Sequence, residues 1–136
     1  METPIDPEKL ATVLAQAAAD TKALDIEILD MRGLVDYTDM FILCSGRNSR
    51  QVAAIATAVR EAAKTQFELI PMGVEGMSSG KWVLVDFGDA VVHVFDQAMR
   101  GFYNLDGLWA DAPHLEAPST GLEDDDETAE EPRFFR

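Results

Sequence analysis

The stretch "GKWVLVDFGDAVVHVFD", residues 80–96, alternates small apolar side chains with a mixed set on either side of Gly88 and Asp89. Gly followed by Asp suits the positive backbone angles of a two-residue hairpin turn. Such a turn pairs Phe87 with Ala90, Asp86 with Val91, Val85 with Val92, Leu84 with His93, Val83 with Val94 and Trp82 with Phe95. Because side chains alternate across a strand, Val83, Val85, Phe87, Ala90, Val92 and Val94 share one face, and that face is core. The opposite face sets Trp82 beside Phe95, Leu84 beside His93 and Asp86 beside Val91. It is half aromatic and apolar and half polar, so it is either covered by the chain itself or built to meet another molecule.

Working outward, Asp6 and Pro7 read as the cap and first position of a helix, with Leu10, Val13, Leu14 and Ala17 at helical spacing up to about Lys22. "DIEIL" (25–29) and "MFILCS" (40–45) read as strands, joined by "DMRGLVDYTD", whose Gly33, Asp36 and Asp39 favour a loop. "RNSRQVAAIATAVREAAKTQ" (47–66) predicts a second helix, capped by Asn48 or Ser49, with Val52, Ile55, Ala56, Val59 and Ala63 on one stripe. "FELIPMG" (67–73) is read as a short strand at an edge or an end, because Pro71 cannot donate to a ladder. Asp96 caps a last helix expected to run to about Trp109. This order gives an α/β fold, with α+β open as the alternative: a mixed sheet of about five strands with helices packed on it.

At 136 residues and 47% hydrophobic content the chain suits one packed domain, expected over residues 1–111. The formal net charge is −14, and half of it lies beyond Ala110, where 9 acidic residues face 2 basic ones. Residues 112–136, with three prolines around "GLEDDDETAEE", are expected to form a disordered acidic tail, because they cannot bury enough surface to offset their ordering entropy. The closing "RFFR" is either a short docking element or a frayed end. The acidic balance repels nucleic-acid phosphates and favours basic partners, although it also simply confers solubility. No apolar run is long enough to span a bilayer and no signal-like start is present, so a cytoplasmic protein is expected. The lone Cys44 lies within an apolar run and reads as a packed thiol.

Three readings of the mixed face compete. The last helix covers it and His93 and Asp86 satisfy one another or the backbone; or it docks a partner, for which Trp, Phe and His with a few charges are suitable; or Asp86 and His93 form an acid/base pair. Pattern alone ranks them in that order, catalysis a distant third because no nucleophile or further acid is placed beside the pair. Elsewhere, "CSGRNSRQ" (44–51) offers free amides and two arginines at a strand-to-helix junction where phosphate could sit, but it lacks the glycines and lysine of phosphate-binding loops. Asp36, Asp39, Asp86 and Asp89 fall in turns that account for them, and two histidines far apart with one cysteine make no zinc pattern. No metal or cofactor is expected.

The ordered fragments Thr38, Asp39 and Phe41 leading to Ser45, Gly46, Ser49 and Arg50; Glu75 and Gly76; Trp82, Asp86, Gly88, Asp89, His93 and Phe95; and Arg100, Tyr103, Leu105, Leu108 and Trp109 resemble the ribosomal silencing factor, or Iojap-related, family. The resemblance spans roughly Leu10 to Trp109. It implies a domain related to the nucleotidyltransferase fold, without its activity; the acidic D-x-D pair that holds metal in such enzymes is missing after "CSG". It further implies binding to the large ribosomal subunit at protein fourteen, preventing the small subunit from joining. Under that analogy the partner-binding residues are Trp82 and Phe95 at the centre, Leu84 and His93 packed around them, and Asp86 or Glu75 meeting basic groups. Asn48 and Lys81 depart from the family pattern. Two alternatives remain: a nucleotide- or phosphate-handling enzyme, and a homodimer that uses the same aromatic surface.

Overall fold

The structure, a computed structural model, describes residues 4–103 and 110–118. Helix α1 (Pro7–Asp20) starts where Asp6 accepts a hydrogen bond from the amide of Glu8 and Pro7 occupies the first turn, where its missing N–H is not needed. Strands β1 (Leu24–Asp30) and β2 (Met40–Gly46) follow, then helix α2 (Ser49–Phe67), capped by the Asn48 side chain on the amide of Gln51 at 2.9 Å. Strands β3 (Gly73–Glu75), β4 (Trp82–Asp86) and β5 (Ala90–Asp96) lead into helix α3 (Gln97–Tyr103), and β6 (His114–Leu115) closes the described chain.

The strands form one six-stranded sheet in the order β3-β4-β5-β2-β1-β6, mixed because β2 and β5 run parallel while every other pair is antiparallel. The β4–β5 register is the one read from the sequence, from Trp82↔Phe95 to Asp86↔Val91, and the turn is closed by the amide of Phe87 donating to the carbonyl of Ala90 at 2.9 Å. Gly88 takes φ +90° there, and its amide donates to the Asp86 carboxylate at 2.8 Å. Val83, Val85, Ala90, Val92 and Val94 are fully buried against Met40, Ile42 and Cys44, under the apolar stripes of α1 and α2. Removing each of these valines from water is worth about 1.5–3 kcal/mol.

Two expectations are corrected here. The stretch 67–73 is no strand. Phe67 ends α2 and packs on the core, and Glu68 takes a left-handed conformation (φ 54°, ψ 39°) that turns the chain. The short edge strand begins only at Gly73. The mixed sheet of about five strands that was expected has six, and the sixth falls within the expected tail: His114 and Leu115, placed there by composition, pair with Leu29 and Ile28 of β1. Leu115 and Ala117 pack against the main core, which holds this segment on the sheet despite its polar composition. The remainder of the expected tail, from residue 119, and the expected helix beyond Tyr103 lie outside the described residues.

Helix α3 crosses the second face of the sheet, over β5 and β2. Asp96 caps it through the amide of Ala98, and Arg100 fastens it. The buried Arg100 guanidinium donates to the carbonyl of Asp25 at 2.6 Å, to the buried Ser45 hydroxyl at 3.1 Å and to the Glu27 carboxylate at 3.2 Å. The Asp25 carbonyl is available because Asp25 adopts φ 51° in the irregular pairing between Leu24 and Glu27. Replacing Arg100 by Met should therefore lower stability by about 2 kcal/mol or more, since it removes three hydrogen bonds, one of them to the buried Ser45 hydroxyl. Arg100→Lys should recover little of the loss, because one ammonium cannot span three acceptors set in different directions. Urea unfolding of the three proteins measures both.

Candidate functional site

Alternation puts Trp82, Leu84 and Asp86 of β4, His93 and Phe95 of β5, and Phe41, Leu43 and Ser45 of β2 on the second face, together with Glu75 of edge strand β3, opposite Leu84. The face is not uniform. Phe95 is fully buried and His93 only 4% exposed, both within a second core of Leu29, Met31, Phe41, Leu43, Val91 and Ala112. Trp82, Leu84 and Asp86 are partly exposed and Glu75 is exposed. Of the six residues expected at a partner surface, four are open to solvent at least in part. Phe95 and His93 are not; in this chain they are the floor on which Trp82 rests. The reason is position in the sheet: β5 is central, with β4 and β2 on either side, while β4 is covered only by the three-residue β3.

That floor fixes the indole. The Trp82 and Phe95 rings lie 5.2 Å apart, and Nε1 of Trp82 donates to Nδ1 of His93 at 3.2 Å. To accept this bond His93 must keep Nδ1 unprotonated, and burial pushes its pKa down to about 4, so the ring is neutral at physiological pH. Phe41 meets His93 edge-on at 4.8 Å from the other side. Beside the indole, Glu75, Gly76, Trp82 and Leu84 line a shallow depression of about 290 Å3. Gly76 is required there: it has φ +89°, and a Cβ would fall 2.1 Å from the carbonyl oxygen of Trp82. Glycine thus lets the β3–β4 connection approach the backbone of the tryptophan.

The acid/base pair is not assembled. The Asp86 carboxylate accepts from the amide of Gly88, while His93 is engaged by Trp82. In "CSGRNSRQ", Ser45 is buried and bonded to Arg100, Asn48 caps α2, and Arg47 and Arg50 point to solvent. Cys44 is fully buried, and burial raises its thiol pKa to about 12, as suits a packed thiol and not a nucleophile. Among the described residues no three His, Cys, Asp or Glu side chains stand close enough to share a metal ion, and no helix is long and apolar enough to cross a membrane. Arg100 is the residue whose role the sequence hid: its partners Asp25, Glu27 and Ser45 lie 55 to 75 positions away.

A family model described as "Ribosomal silencing factor during starvation" matches residues 4–134. The ribosomal silencing factor of Bacillus subtilis is 39% identical over 109 residues, covering 80% of this chain and 92% of that one. The chloroplastic protein Iojap of Zea mays is 39% identical over 108 residues, covering 79% of this chain and 46% of its own length. The crystal structure of a Chromobacterium violaceum protein superposes with a TM-score of 0.75 at 35% identity, covering 85% of this chain and 92% of that one.

Two outcomes follow from the geometry. The unfolded chain protonates His93 near the ordinary histidine value of 6.5 and the folded chain only near 4, so the stability present above pH 6.5 is lost as the pH falls towards 4. A shift of this size corresponds to roughly 3 kcal/mol at most. Urea unfolding at stepped pH should show that slope, and His93→Gln, which keeps an acceptor for the indole, should flatten it; equal slopes would exclude His93 as the group responsible. Gly76→Ala should cost about 2 kcal/mol or more through strain and the clash with Trp82, read in the same assay.

Proposed function

This chain belongs to the ribosomal silencing factor family, and from that membership we propose that it represses translation by occupying protein fourteen of the large ribosomal subunit, so that the small subunit cannot dock. The family supports a ribosome-associated silencing role; the named partner and the exclusion of the small subunit are our reading. No covalent step is required. Repression is set by occupancy, and hence by protein concentration relative to the dissociation constant. On this reading the chain works in the cytoplasm, beside the ribosomes it binds.

The observation that carries this reading is the held indole. Interface centres favour a large aromatic side chain whose conformation is fixed before binding, since less entropy is then lost on contact. Trp82 fits: its N–H is satisfied by His93, its ring lies against Phe95, and its outer part borders the depression with Leu84 and Glu75. Glu75 and Asp86 flank it with negative charge suited to Lys or Arg on a ribosomal protein. A homodimer through the same face remains the competing use of the surface.

Cosedimentation with isolated large subunits, followed by addition of small subunits, tests the proposal. The protein should sediment with the large subunit and reduce the fraction of joined ribosomes. Trp82→Ala should weaken binding by about 2 kcal/mol, roughly thirtyfold, while thermal unfolding shows the domain still folded. Normal binding by a folded Trp82→Ala protein removes Trp82 from the contact, and binding without any effect on joining discards the exclusion mechanism.

A further inference from the structure

A stable protein contact buries about 800 Å2 on each side, a patch roughly 30 Å across. The depression at Trp82, Leu84 and Glu75 is only part of such a footprint, so the contact must continue along the strands in one direction or the other. At the Trp82 end, Gly80 packs against Ser49 at the head of α2, and the exposed charged side chains that follow β2 and precede β4 are Arg47, Arg50 and Lys81, with Asp96 used as a helix cap. Next to the tryptophan that end carries basic groups. At the opposite end the amides of Asp39 and Met40 both donate to the carbonyl of Asp89, at 3.2 and 3.1 Å. These bonds sew the β4–β5 turn to the β1–β2 loop in a single rim carrying Asp36, Asp39, Asp86 and Asp89. Arg32, the nearest basic residue in the loop, is engaged by Glu8 at 2.6 Å and Asp30 at 2.8 Å.

The rim is also apolar where it meets solvent. Leu34 is 52% exposed and Tyr37 62%, among the few large hydrophobic residues so displayed. Tyr37 leans on Phe41, with ring centroids 6.2 Å apart; Phe41 lies 4.8 Å from His93, and His93 6.0 Å from Trp82. A chain of rings therefore links Tyr37 to the anchor. In register, Phe41 is opposite Val91 and Val91 opposite Asp86, so the support of Tyr37 is two strand spacings, about 10 Å, from β4. One footprint of ordinary size covers both.

Resting on the docking reading above, we propose that the β1–β2 loop is a second anchor of the same surface: Leu34 and Tyr37 supply the apolar contact, and Asp36, Asp39, Asp86 and Asp89 orient a basic face of the partner towards the turn end of β4 and β5. The occupant is a protein with lysines or arginines around an apolar patch. RNA is disfavoured, because a rim of four aspartates repels phosphate. A second copy of this chain is disfavoured too, because a two-fold contact would set aspartates against aspartates.

The test titrates purified large subunits with the wild type, a Leu34→Ser/Tyr37→Ser double variant, an Asp36→Asn/Asp89→Asn double variant and Trp82→Ala, with thermal unfolding of each. The serine pair, both on exposed residues, should leave the domain folded and weaken binding by about tenfold or more. The asparagine pair should reduce affinity several-fold and flatten its dependence on salt. If Trp82→Ala weakens binding while a folded serine pair binds like wild type, the second anchor is wrong and the Trp82 reading stands. If both bind like wild type, the docking reading fails and this inference with it. A dimer in sedimentation velocity that the serine pair dissociates, with ribosome binding unchanged, would assign the loop to a second copy and overturn the proposal.

Discussion

Everything on the second face depends on the register of β4 against β5. Side chains on a strand alternate strictly, so a slip of one residue would turn Val83, Val85, Val92 and Val94 out of the main core and drive Trp82, His93 and Asp86 beneath the helices. Two features hold the register: the turn at Gly88 and Asp89, with φ +90° at Gly88, and the fully buried valines, whose exposure would forfeit several kcal/mol. With the register fixed, the indole N–H of Trp82 meets the ring nitrogen of His93 across neighbouring strands, and the partly exposed tryptophan becomes a rigid feature and not a mobile one.

This register was readable in the sequence because hairpin pairing is local: six residue pairs follow from one turn. The caps of α1 and α2 were readable for the same reason, each being set within three residues. The parallel pairing of β2 with β5 was not, since it joins segments about fifty positions apart and depends on how α2 crosses between them. Strand β6 escaped notice because two residues carry no periodicity; it is recruited by the edge of β1 and by Leu115 and Ala117 packing on the core. The burial of Phe95 and His93 was hidden in the same way. The alternating pattern says that they share a face with Trp82, but strand order decides which part of a face lies in the middle of the sheet and which lies near its edge.

The polar groups on this face follow a common rule, that a buried donor or acceptor is costly unless met. Arg100 is buried, yet its guanidinium finds a carbonyl, a hydroxyl and a carboxylate, and through them ties α3 to β1 and β2. His93 is buried and neutral, and its acceptor nitrogen is used by Trp82. Asp86 keeps part of its surface and spends one oxygen on the hairpin amide. Nδ1 of His93 and one oxygen of Asp86 are thus engaged in structural bonds, and the accessible part of this face offers shape, apolar area and negative charge.

On the proposed reading those three properties divide the work of recognition. A ribosomal surface is mostly RNA, and an acidic domain is repelled from it everywhere except where a basic protein face comes to the surface. Long-range repulsion and local attraction together raise the encounter rate at that face and suppress it elsewhere, a selection that salt weakens. Residence is set differently. Once docked, the desolvated indole and the apolar residues around it govern dissociation, and this short-range contribution is little affected by salt. A repressor that acts by occupancy needs both, because charge without an anchor yields brief encounters and an anchor without charge can settle wherever apolar surface is exposed.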